Sequence, residues 1–223
     1  MLFNSDEIKE TLVRGLSALG IKLDEVIIDK VTAYFKLLLE KNRVVNLISP
    51  KQDIMTQTIV HLVDSLSLLQ YEKLPRNISA LDFGSGGGLP AIPLSLALAD
   101  WRYTLVESTG KKAAFLSAVK SELNLVNVDI MNRFLEPGLN RENIVYDIIT
   151  ARAVTETAKL LSIAAPRLKQ GGLFIAFKGP RGDLELSDCT KELKKDKMCL
   201  VDKLDFILPE LSAKRSLFIF EKR

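Results

Sequence analysis

The sequence has few of the side chains that usually carry metal or nucleophile chemistry. Its 223 residues include one histidine, His61, and two cysteines, Cys189 and Cys199, which form no Cys-x-x-Cys pair. A disulfide framework and a structural zinc site are therefore not expected. No metal site is predicted, and the cysteines are expected to be reduced thiols, as is usual in the cytoplasm. The same scarcity means that the sequence offers no strong general base.

Long apolar runs and strong charge asymmetry are also absent. No stretch reaches about 18 uninterrupted apolar residues, so no membrane span is expected. The N-terminal residues MLFNSDEIKE lack the apolar core of a secretory signal. Lys and Arg number 31 against 28 Asp and Glu, a net charge of +3, which is only weak evidence for a nucleic-acid partner. The composition is ordinary for a soluble globular protein, and the expected location is the cytoplasm.

The most informative motif is a glycine-rich turn within LDFGSGGGLPAIP, residues 81–93. Glycine is required where a chain adopts positive φ or lies flat against a ligand, and Pro90 suits the first turn of a following helix. Free N–H groups at such a helix start favour an electron-rich ligand group. The turn is therefore predicted to bind a nucleotide-type cofactor.

Apolar periodicity predicts three N-terminal helices and then an alternation of strands and helices. The helices span 5–19, with Ser5 as a possible N-cap, 24–42 and 53–69. The predicted strands are 78–83, 103–106, 126–131, 144–151 and 171–179, with a final pair at 200–207 and 216–222; the helices between them are 94–99, 111–124, 156–168 and 184–195. Alternation of this kind indicates an α/β domain over 76–223 with a mainly parallel sheet, and 1–75 form a helical extension packed on it.

A polar pair interrupts the third helix, which is otherwise apolar. His61 and Asp64 are three residues apart, so they face the same side of the helix and can pair. Buried polar groups need partners. The pair is expected either to pin this helix to the cofactor turn or to touch the substrate.

The spacing of the glycines separates two classes of cofactor. A dinucleotide fingerprint requires G-x-G-x-x-G, whereas this chain has D-x-G-x-G-x-G-L-P from Asp82, with Leu89 in place of the third glycine. Glu107 ends the second strand, where an acidic side chain accepts hydrogen bonds from both ribose hydroxyls of an adenosine. Glu107 would repel a 2′-phosphate, which argues against NADP.

With these motifs together, the chain resembles class I S-adenosylmethionine-dependent methyltransferases. It is most similar to the bacterial enzymes that modify N7 of a guanine in 16S ribosomal RNA, the family of small-subunit methyltransferase G, also known as glucose-inhibited division protein B. The segments that carry the resemblance are Asn46-Leu47, residues 61–66, residues 82–93, Glu107-Ser108-x-Gly110-Lys111-Lys112, Ala151-Arg152-Ala153 and Phe177-Lys178-Gly179.

The resemblance implies a doubly wound, Rossmann-like sheet with an antiparallel C-terminal strand. It also implies S-adenosyl-L-methionine as cofactor, with S-adenosyl-L-homocysteine as product, and 16S ribosomal RNA or the small ribosomal subunit as partner of a monomeric enzyme. The implied cofactor-binding residues are Gly84, Gly86, Gly88, Leu89, Glu107, Ser108, Phe134, Leu135 and Arg152. The implied substrate-positioning residues are Asn46, His61, Asp64, Arg152 and Lys178.

One departure from the family pattern lies in the turn after the third strand. The family usually has a small or branched residue followed by Glu there, whereas this chain has Phe134-Leu135, and Glu136 follows. If the contacts of this turn to adenine are made by its backbone, the departure is harmless.

Several side chains have an alternative interpretation. Arg152 either serves the site or pairs with Asp147 or Glu156, and Lys111-Lys112 either contact phosphate or form a solvated face. Arg43, Lys51 and Arg181 are general candidates for phosphate contact. The alternative functions are methylation of another RNA or of a small molecule, a non-catalytic RNA-binding factor in ribosome assembly, and NAD-dependent oxidation.

Overall fold

The sheet that positions the functional residues has seven strands in the order β3-β2-β1-β4-β5-β7-β6. The computed structural model describes residues 4–49, 52–140 and 143–223, so the predicted phosphate contact Lys51 lies outside the described residues. The strands are β1 Ser79–Phe83, β2 Arg102–Glu107, β3 Val128–Asn132, β4 Tyr146–Arg152, β5 Leu168–Lys178, β6 Met198–Leu208 and β7 Ala213–Lys222. Strands β1 to β5 pair in parallel, and β7 runs antiparallel to both β5 and β6. The predicted doubly wound sheet with an antiparallel C-terminal strand is confirmed.

The helices lie close to their predicted positions. They are α1 Ser5–Ala18, α2 Glu25–Asn42, α3 Ile54–Thr58, α4 Asp64–Leu66, α5 Ala91–Ala97, α6 Gly110–Glu122, α7 Thr157–Ala164, α8 Gly182–Ser187 and α9 Thr190–Lys195. The prediction of one helix over 184–195 is wrong, because the chain turns at Cys189 and buries that side chain completely.

The N-cap predicted at Ser5 is also wrong. Ser5 is the first residue of α1, and the Asn4 side chain accepts a hydrogen bond of 3.0 Å from the Asp6 N–H. Asn and Ser are both good N-cap residues. Asn4 takes this role because it lies just before the first helical turn, whereas Ser5 is already part of it. At the other end of this helix Gly20 adopts φ +72°, which agrees with its predicted role as a helix stop.

The N-terminal helices share one apolar core with one face of the sheet. Leu12 of α1 and Phe35 of α2 are completely buried, in a cluster that also contains Leu105 of β2 and Ile175 of β5. A second cluster on the opposite face packs α7 against side chains such as Phe174. Burial of each large apolar side chain contributes about 1.5–3 kcal/mol. The division at residue 75 stays a prediction, since the extension has no separate apolar cluster in the described part.

The third predicted helix is interrupted by a wider turn. The helix α3 begins after Asp53, whose side chain caps the Thr56 N–H at 2.8 Å. A π-helical turn, Ile59–Val63, then leads into α4 and a 3₁₀ turn, Ser67–Gln70. We call residues 54–70 the bulged helix. A π turn of this kind frees backbone carbonyls for other donors and is frequent at functional sites.

A membrane-spanning helix is not found within residues 4–49, 52–140 and 143–223, because none there is both long and apolar enough.

Candidate active site

The glycine turn follows β1 at the point where the order of the strands reverses, between β1 and β4. Ligands of doubly wound sheets bind outside the strand carboxyl ends at such a switch point. The Gly84 and Ser85 N–H groups donate to the Val106 carbonyl at 2.8 and 3.1 Å, which holds the turn against the end of β2. Gly84, Gly86 and Gly88 have φ values of +69°, +57° and +95°. The prediction that this turn needs glycine because its backbone adopts positive φ is therefore confirmed.

Helix α2 of the N-terminal extension braces the turn directly. The Tyr34 hydroxyl donates to the Gly87 carbonyl at 2.7 Å, and a Cβ atom at Gly87 would lie 3.0 Å from Leu38 Cδ1. Burial raises the pKa of the Tyr34 hydroxyl well above its ordinary value, so the group stays protonated and donates. No sequence pattern predicts this contact, since in the sequence Tyr34 looks like an ordinary core residue next to Phe35.

Glu107 ends β2 and contacts the glycine turn. Its carboxylate is buried at the end of β2 and accepts hydrogen bonds from the Gly86 N–H at 2.9 Å and from the Thr109 N–H at 2.7 Å. A carboxylate has about four lone-pair positions, so it can also accept from the hydroxyls of a ribose. The two backbone bonds fix the direction in which the carboxylate points.

Asp82 lies beneath the turn and is only half satisfied. The Thr150 hydroxyl donates to its Oδ1 at 2.7 Å, whereas Oδ2 is buried without a hydrogen-bond partner in the described part of the chain. Burial raises the pKa of this carboxyl to about 7. An unpaired buried carboxylate oxygen suits a cationic ligand group, and S-adenosylmethionine carries both an ammonium and a sulfonium group. The site therefore fits that cofactor.

A cavity of about 250 Å³ opens at the carboxyl ends of β1 to β4. Its lining residues are Phe83, Gly84, Val106, Ser108, Arg133, Phe134, Leu135, Val154, Thr155, Lys159 and Ile163. They include four of the predicted cofactor-binding residues, namely Gly84, Ser108, Phe134 and Leu135. The mixture of apolar walls and a few polar groups is typical of a site for a planar base.

The other predicted cofactor residues do not line that cavity. Gly86 and Gly88 shape the turn beside it, and Leu89 is buried under the turn. Val154, Thr155 and Lys159 line the cavity although no motif predicts them; their only sequence signal is their position just after Arg152. A larger cavity of about 610 Å³ lies between α2 and α6 and includes Lys111, but none of its lining residues belongs to the glycine turn.

Arg152, at the end of β4, is the centre of a polar cluster. Its Nη1 donates to the His61 carbonyl at 3.2 Å and to Ser65 Oγ at 3.0 Å. Its Nη2 donates to the Val60 carbonyl and to His61 Nδ1, each at 3.0 Å, and its Nε lies 3.5 Å from Asp64 Oδ2. All of these contacts are with the bulged helix, and two are to carbonyls within the π turn. Arg152 therefore ties this helix to the sheet beside the cofactor cavity.

The alternative pairing of Arg152 with Asp147 is wrong. The Asp147 carboxylate accepts from Lys169 Nζ at 2.8 Å and from Ser79, at the opposite end of β4 from Arg152. Glu156 precedes α7, and Arg152 makes its ion pair with Asp64 instead.

The predicted pair His61 and Asp64 is bridged by Arg152 from β4. Burial, and then the neighbouring guanidinium, lower the pKa of His61 to about 3, so the imidazole is neutral at physiological pH. A guanidinium has no acceptor, so Nδ1 accepts and the proton of the ring lies on Nε2. That nitrogen is buried without a partner among the described residues.

Asp64 holds a second arginine that no motif predicts. Arg215 of β7 places its Nε 3.5 Å from Asp64 Oδ1. Burial raises the pKa of Asp64, and the charges of Arg152 and Arg215 oppose that increase. The only sequence signal for Arg215 is a basic residue near the start of the last predicted strand.

The structure does not bring Lys178 and Asn46 into this cluster. Lys178 ends β5, but its Nζ pairs with Glu185 at 2.7 Å and lies 3.4 Å from the Thr155 carbonyl. Asn46 is exposed in a turn whose backbone is held by the Asn42 side chain. That turn lies near the glycine turn, since a Cβ atom at Gly87 would lie 3.5 Å from Leu47 Cβ. The roles predicted for both residues stay predictions.

Comparison with known proteins gives the same family as the motifs. The model of the family GidB, rRNA small subunit methyltransferase G, matches residues 27–210. The chain is 34% identical over 218 residues to Ribosomal RNA small subunit methyltransferase G of Lysinibacillus sphaericus (strain C3-41), covering 96% of this chain and 90% of that protein. It is 36% identical over 195 residues to the protein of the same name from Sorangium cellulosum (strain So ce56), covering 86% and 81%.

Solved structures agree on the fold. A SAM dependent methyltransferase from Aquifex aeolicus superposes with a TM-score of 0.58 at 14% identity, covering 82% of this chain and 97% of that one. The matched residues 27–210 include the glycine turn, Glu107, the bulged helix and Arg152, and the prediction of S-adenosylmethionine as cofactor is confirmed. The chain belongs to the rRNA small subunit methyltransferase G family of S-adenosylmethionine-dependent enzymes.

Proposed function

We propose that this enzyme methylates N7 of a guanine in 16S ribosomal RNA. The family assignment supports the ribosomal RNA of the small subunit as substrate. The chemistry of the site supports N7 as the atom that receives the methyl group. Guanine N7 has a free in-plane lone pair and needs no deprotonation before it attacks a methyl group.

The observation that carries the choice of atom is the state of the only histidine, which lies beside the cleft. His61 is neutral, and its acceptor nitrogen is already occupied by Arg152 at 3.0 Å. It therefore has no lone pair free to take a proton from a substrate. Asp82 is 1% exposed beneath the glycine turn, and the cofactor that we place against it would separate it from an RNA base. Neither His61 nor Asp82 is therefore suited to deprotonate a substrate nucleophile, and guanine N7 does not need to be deprotonated.

The residues on the cofactor side bind and orient. When bound, S-adenosylmethionine supplies an electrophilic methyl group on a sulfonium centre. Glu107 would hold the ribose, Asp82 Oδ2 offers its buried lone pairs to the cationic end, and the wall containing Phe134 and Leu135 would cover the adenine. The glycine turn allows the backbone to approach the ligand closely.

The residues on the substrate side position the base. Arg152 holds the bulged helix next to the cavity, which fixes the face against which a base would lie. The rate then comes from holding the nucleophile, the methyl carbon and the sulfur in line, a positioning effect that can supply about 7–11 kcal/mol of the barrier. An unpaired or looped base suits such a site, because its edge is accessible.

The assignment is tested by methyl transfer to separated substrates. The purified enzyme and radiolabelled cofactor are incubated with 30S subunits, naked 16S RNA, 23S RNA and free guanosine. We expect label in the small-subunit RNA only. Label in 23S RNA or in guanosine would favour another RNA or a small molecule, and absence of label despite thermal stabilisation by S-adenosylhomocysteine would favour a non-catalytic assembly factor. We further propose that the enzyme works as a monomer in the cytoplasm, where ribosomes assemble.

A further inference from the structure

Arg215 and Arg152 lie at the same edge and on the same face of the sheet. Arg152 is in register with Phe177 of β5, and Phe177 is in register with Leu217 of β7. Arg215 precedes Leu217 by two residues, so its side chain leaves the sheet on the same side. Its cross-strand partner, Phe206 of β6, packs on the core of that face. The bulged helix covers this face.

The two arginines differ in how many hydrogen bonds and ion pairs they make with the rest of the protein. The Arg152 guanidinium makes four hydrogen bonds and one ion pair, and its side chain is 12% exposed. Arg215 makes one ion pair, with Asp64 at 3.5 Å, and its Nη1 donates to the Lys214 carbonyl at 3.0 Å. Its Nη2 has no partner among the described residues, and the side chain is 19% exposed.

The charges of the cluster do not balance. His61 is neutral, and among the described residues Asp64 is the only carboxylate within ion-pair distance of either guanidinium, since Asp82 acts on Arg152 from farther away. The nearby cations Lys203 and Lys214 are neutralised by other carboxylates: both pair with Asp183, at 2.6 and 3.2 Å, and Lys203 also pairs with Asp205 at 2.9 Å. In the described part of the chain, the two guanidinium groups of this mostly buried cluster therefore share one directly paired carboxylate. A guanidinium with a free edge matches the geometry of a phosphate group.

We infer that Arg215 binds a backbone phosphate of the RNA, next to the nucleotide whose base enters the cleft. Asp64 is the positioning residue that holds the guanidinium, and the free Nη2 faces the RNA. This inference rests on the proposed function and adds a substrate-binding residue on β7, in the half of the sheet away from the cofactor turn. Arg215 belongs to β7, which lies beyond β4 and β5 in the sheet, whereas the cofactor cavity lies at the ends of β1 to β4.

The experiment compares Arg215→Gln with Arg223→Gln, which removes the same charge at the opposite edge of the sheet, just beyond the end of β7. KM is measured for 30S subunits and for S-adenosylmethionine at several salt concentrations. For Arg215→Gln we expect KM for the RNA substrate to rise about tenfold, with KM for the cofactor within twofold. The slope of log KM against log salt is expected to fall by about 1, the effect of one lost phosphate contact. Arg223→Gln should behave as the unmodified enzyme does.

A second measurement uses the unmodified protein and does not depend on the variant folding. Phenylglyoxal, which modifies exposed arginines, is applied with and without 16S RNA, and the modified residues are mapped by mass spectrometry. We expect RNA, but not S-adenosylhomocysteine, to protect Arg215, and Arg223 to stay unprotected.

The results that overturn the inference are an unchanged salt slope for Arg215→Gln, a loss confined to KM for the cofactor, or labelling of Arg215 that RNA does not slow. Those outcomes leave the proposed function intact. Failure of the unmodified enzyme to label any small-subunit RNA would instead remove the proposed function.

Discussion

The Nη2 nitrogen of Arg152 lies 3.0 Å from Nδ1 of His61, and it also donates to the Val60 carbonyl at 3.0 Å. The Val60 carbonyl belongs to the π turn, and β4 ends where the guanidinium of Arg152 can reach it. The side chain of Arg152 therefore joins the end of β4, beside the cofactor cavity, to the bulged helix of the N-terminal extension. The relationship supports the proposal that Arg152 is a positioning residue for the substrate side.

Replacement of Arg152 should affect both stability and rate. Arg152→Ala leaves Asp64 with Arg215 alone and removes one donor each from the Val60 and His61 carbonyls, the second of which still accepts from the Ser65 hydroxyl. The substitution should lower the free energy of unfolding by about 3 kcal/mol. Arg152→Lys keeps the charge but loses the planar fork, so we expect a smaller loss of stability and a fall in kcat of roughly 100-fold. Urea unfolding and single-turnover transfer measure the two effects. Near-normal kcat for Arg152→Lys would remove Arg152 from the site.

Loss of the Tyr34 hydroxyl should weaken the glycine turn. Tyr34→Phe removes one buried hydrogen bond to Gly87, which should cost about 1 kcal/mol of stability and raise the Kd for S-adenosylhomocysteine. Tyr103→Phe is the matched control, because the Tyr103 hydroxyl is buried without a partner among the described residues and its removal should be neutral or slightly stabilising. Calorimetric titration and thermal unfolding report both quantities. Equal effects of the two substitutions would contradict the bracing role of Tyr34.

Gly84 should tolerate no side chain, for two reasons that can be separated. Its φ is +69°, and a Cβ atom there would lie 2.6 Å from Val154 Cγ2. Gly20 has nearly the same φ, +72°, with no described atom within 4 Å of a Cβ atom. Gly20→Ala therefore measures the backbone strain alone, about 1 kcal/mol, whereas Gly84→Ala adds the clash and should also abolish stabilisation by S-adenosylhomocysteine. If Gly84→Ala costs no more than Gly20→Ala and still binds, the close approach at this turn is not needed.

Asp82 should make stability depend on pH. Its pKa is raised from 3.8 to about 7 in the folded protein. Between those values the folded state binds more protons than the unfolded state, so stability falls as the pH rises from about 4 to about 7. His61, with its pKa lowered from 6.5 to about 3, contributes with the opposite sign as the pH rises from about 3 to 6.5. The difference between the unmodified protein and Asp82→Asn, measured by urea unfolding at pH 5 and pH 8, removes the contribution of His61. We expect Asp82→Asn to be relatively more stable at pH 8, and a difference that does not change with pH would contradict the assignment.

Local signals in the sequence were sufficient to predict the conformation of the glycine turn and the position of Glu107, whose contacts with the cofactor stay predictions. The positions of Gly84, Gly86 and Gly88 follow from a turn that needs positive φ, and Glu107 follows from its place at a strand end. Each of these roles depends on residues that are close in sequence or on neighbouring strand ends, which periodicity and turn chemistry predict well.

The substrate side depends on contacts that no local pattern encodes. The π turn at Ile59–Val63 has ordinary helical periodicity in the sequence, and the donor to its carbonyls, Arg152, lies about 90 residues away at the end of β4. Arg215 reaches Asp64 because β7 inserts antiparallel beside β5, and a solitary basic residue in a strand gives no sign of that register. The choice of Asn4 over Ser5 as the cap likewise depended on which side chain reaches the first turn.

Methylation at N7 is tested most directly by locating the transferred methyl group. 30S subunits lacking the modification are incubated with the enzyme and labelled S-adenosylmethionine, and the 16S RNA is treated with borohydride and aniline, which cleave the chain at N7-methylguanine. We expect one cleavage, at one labelled guanine, that appears roughly 100-fold more slowly with Arg152→Lys. A labelled 16S RNA that resists this cleavage, with the methyl group on another atom or base, would contradict the proposed function.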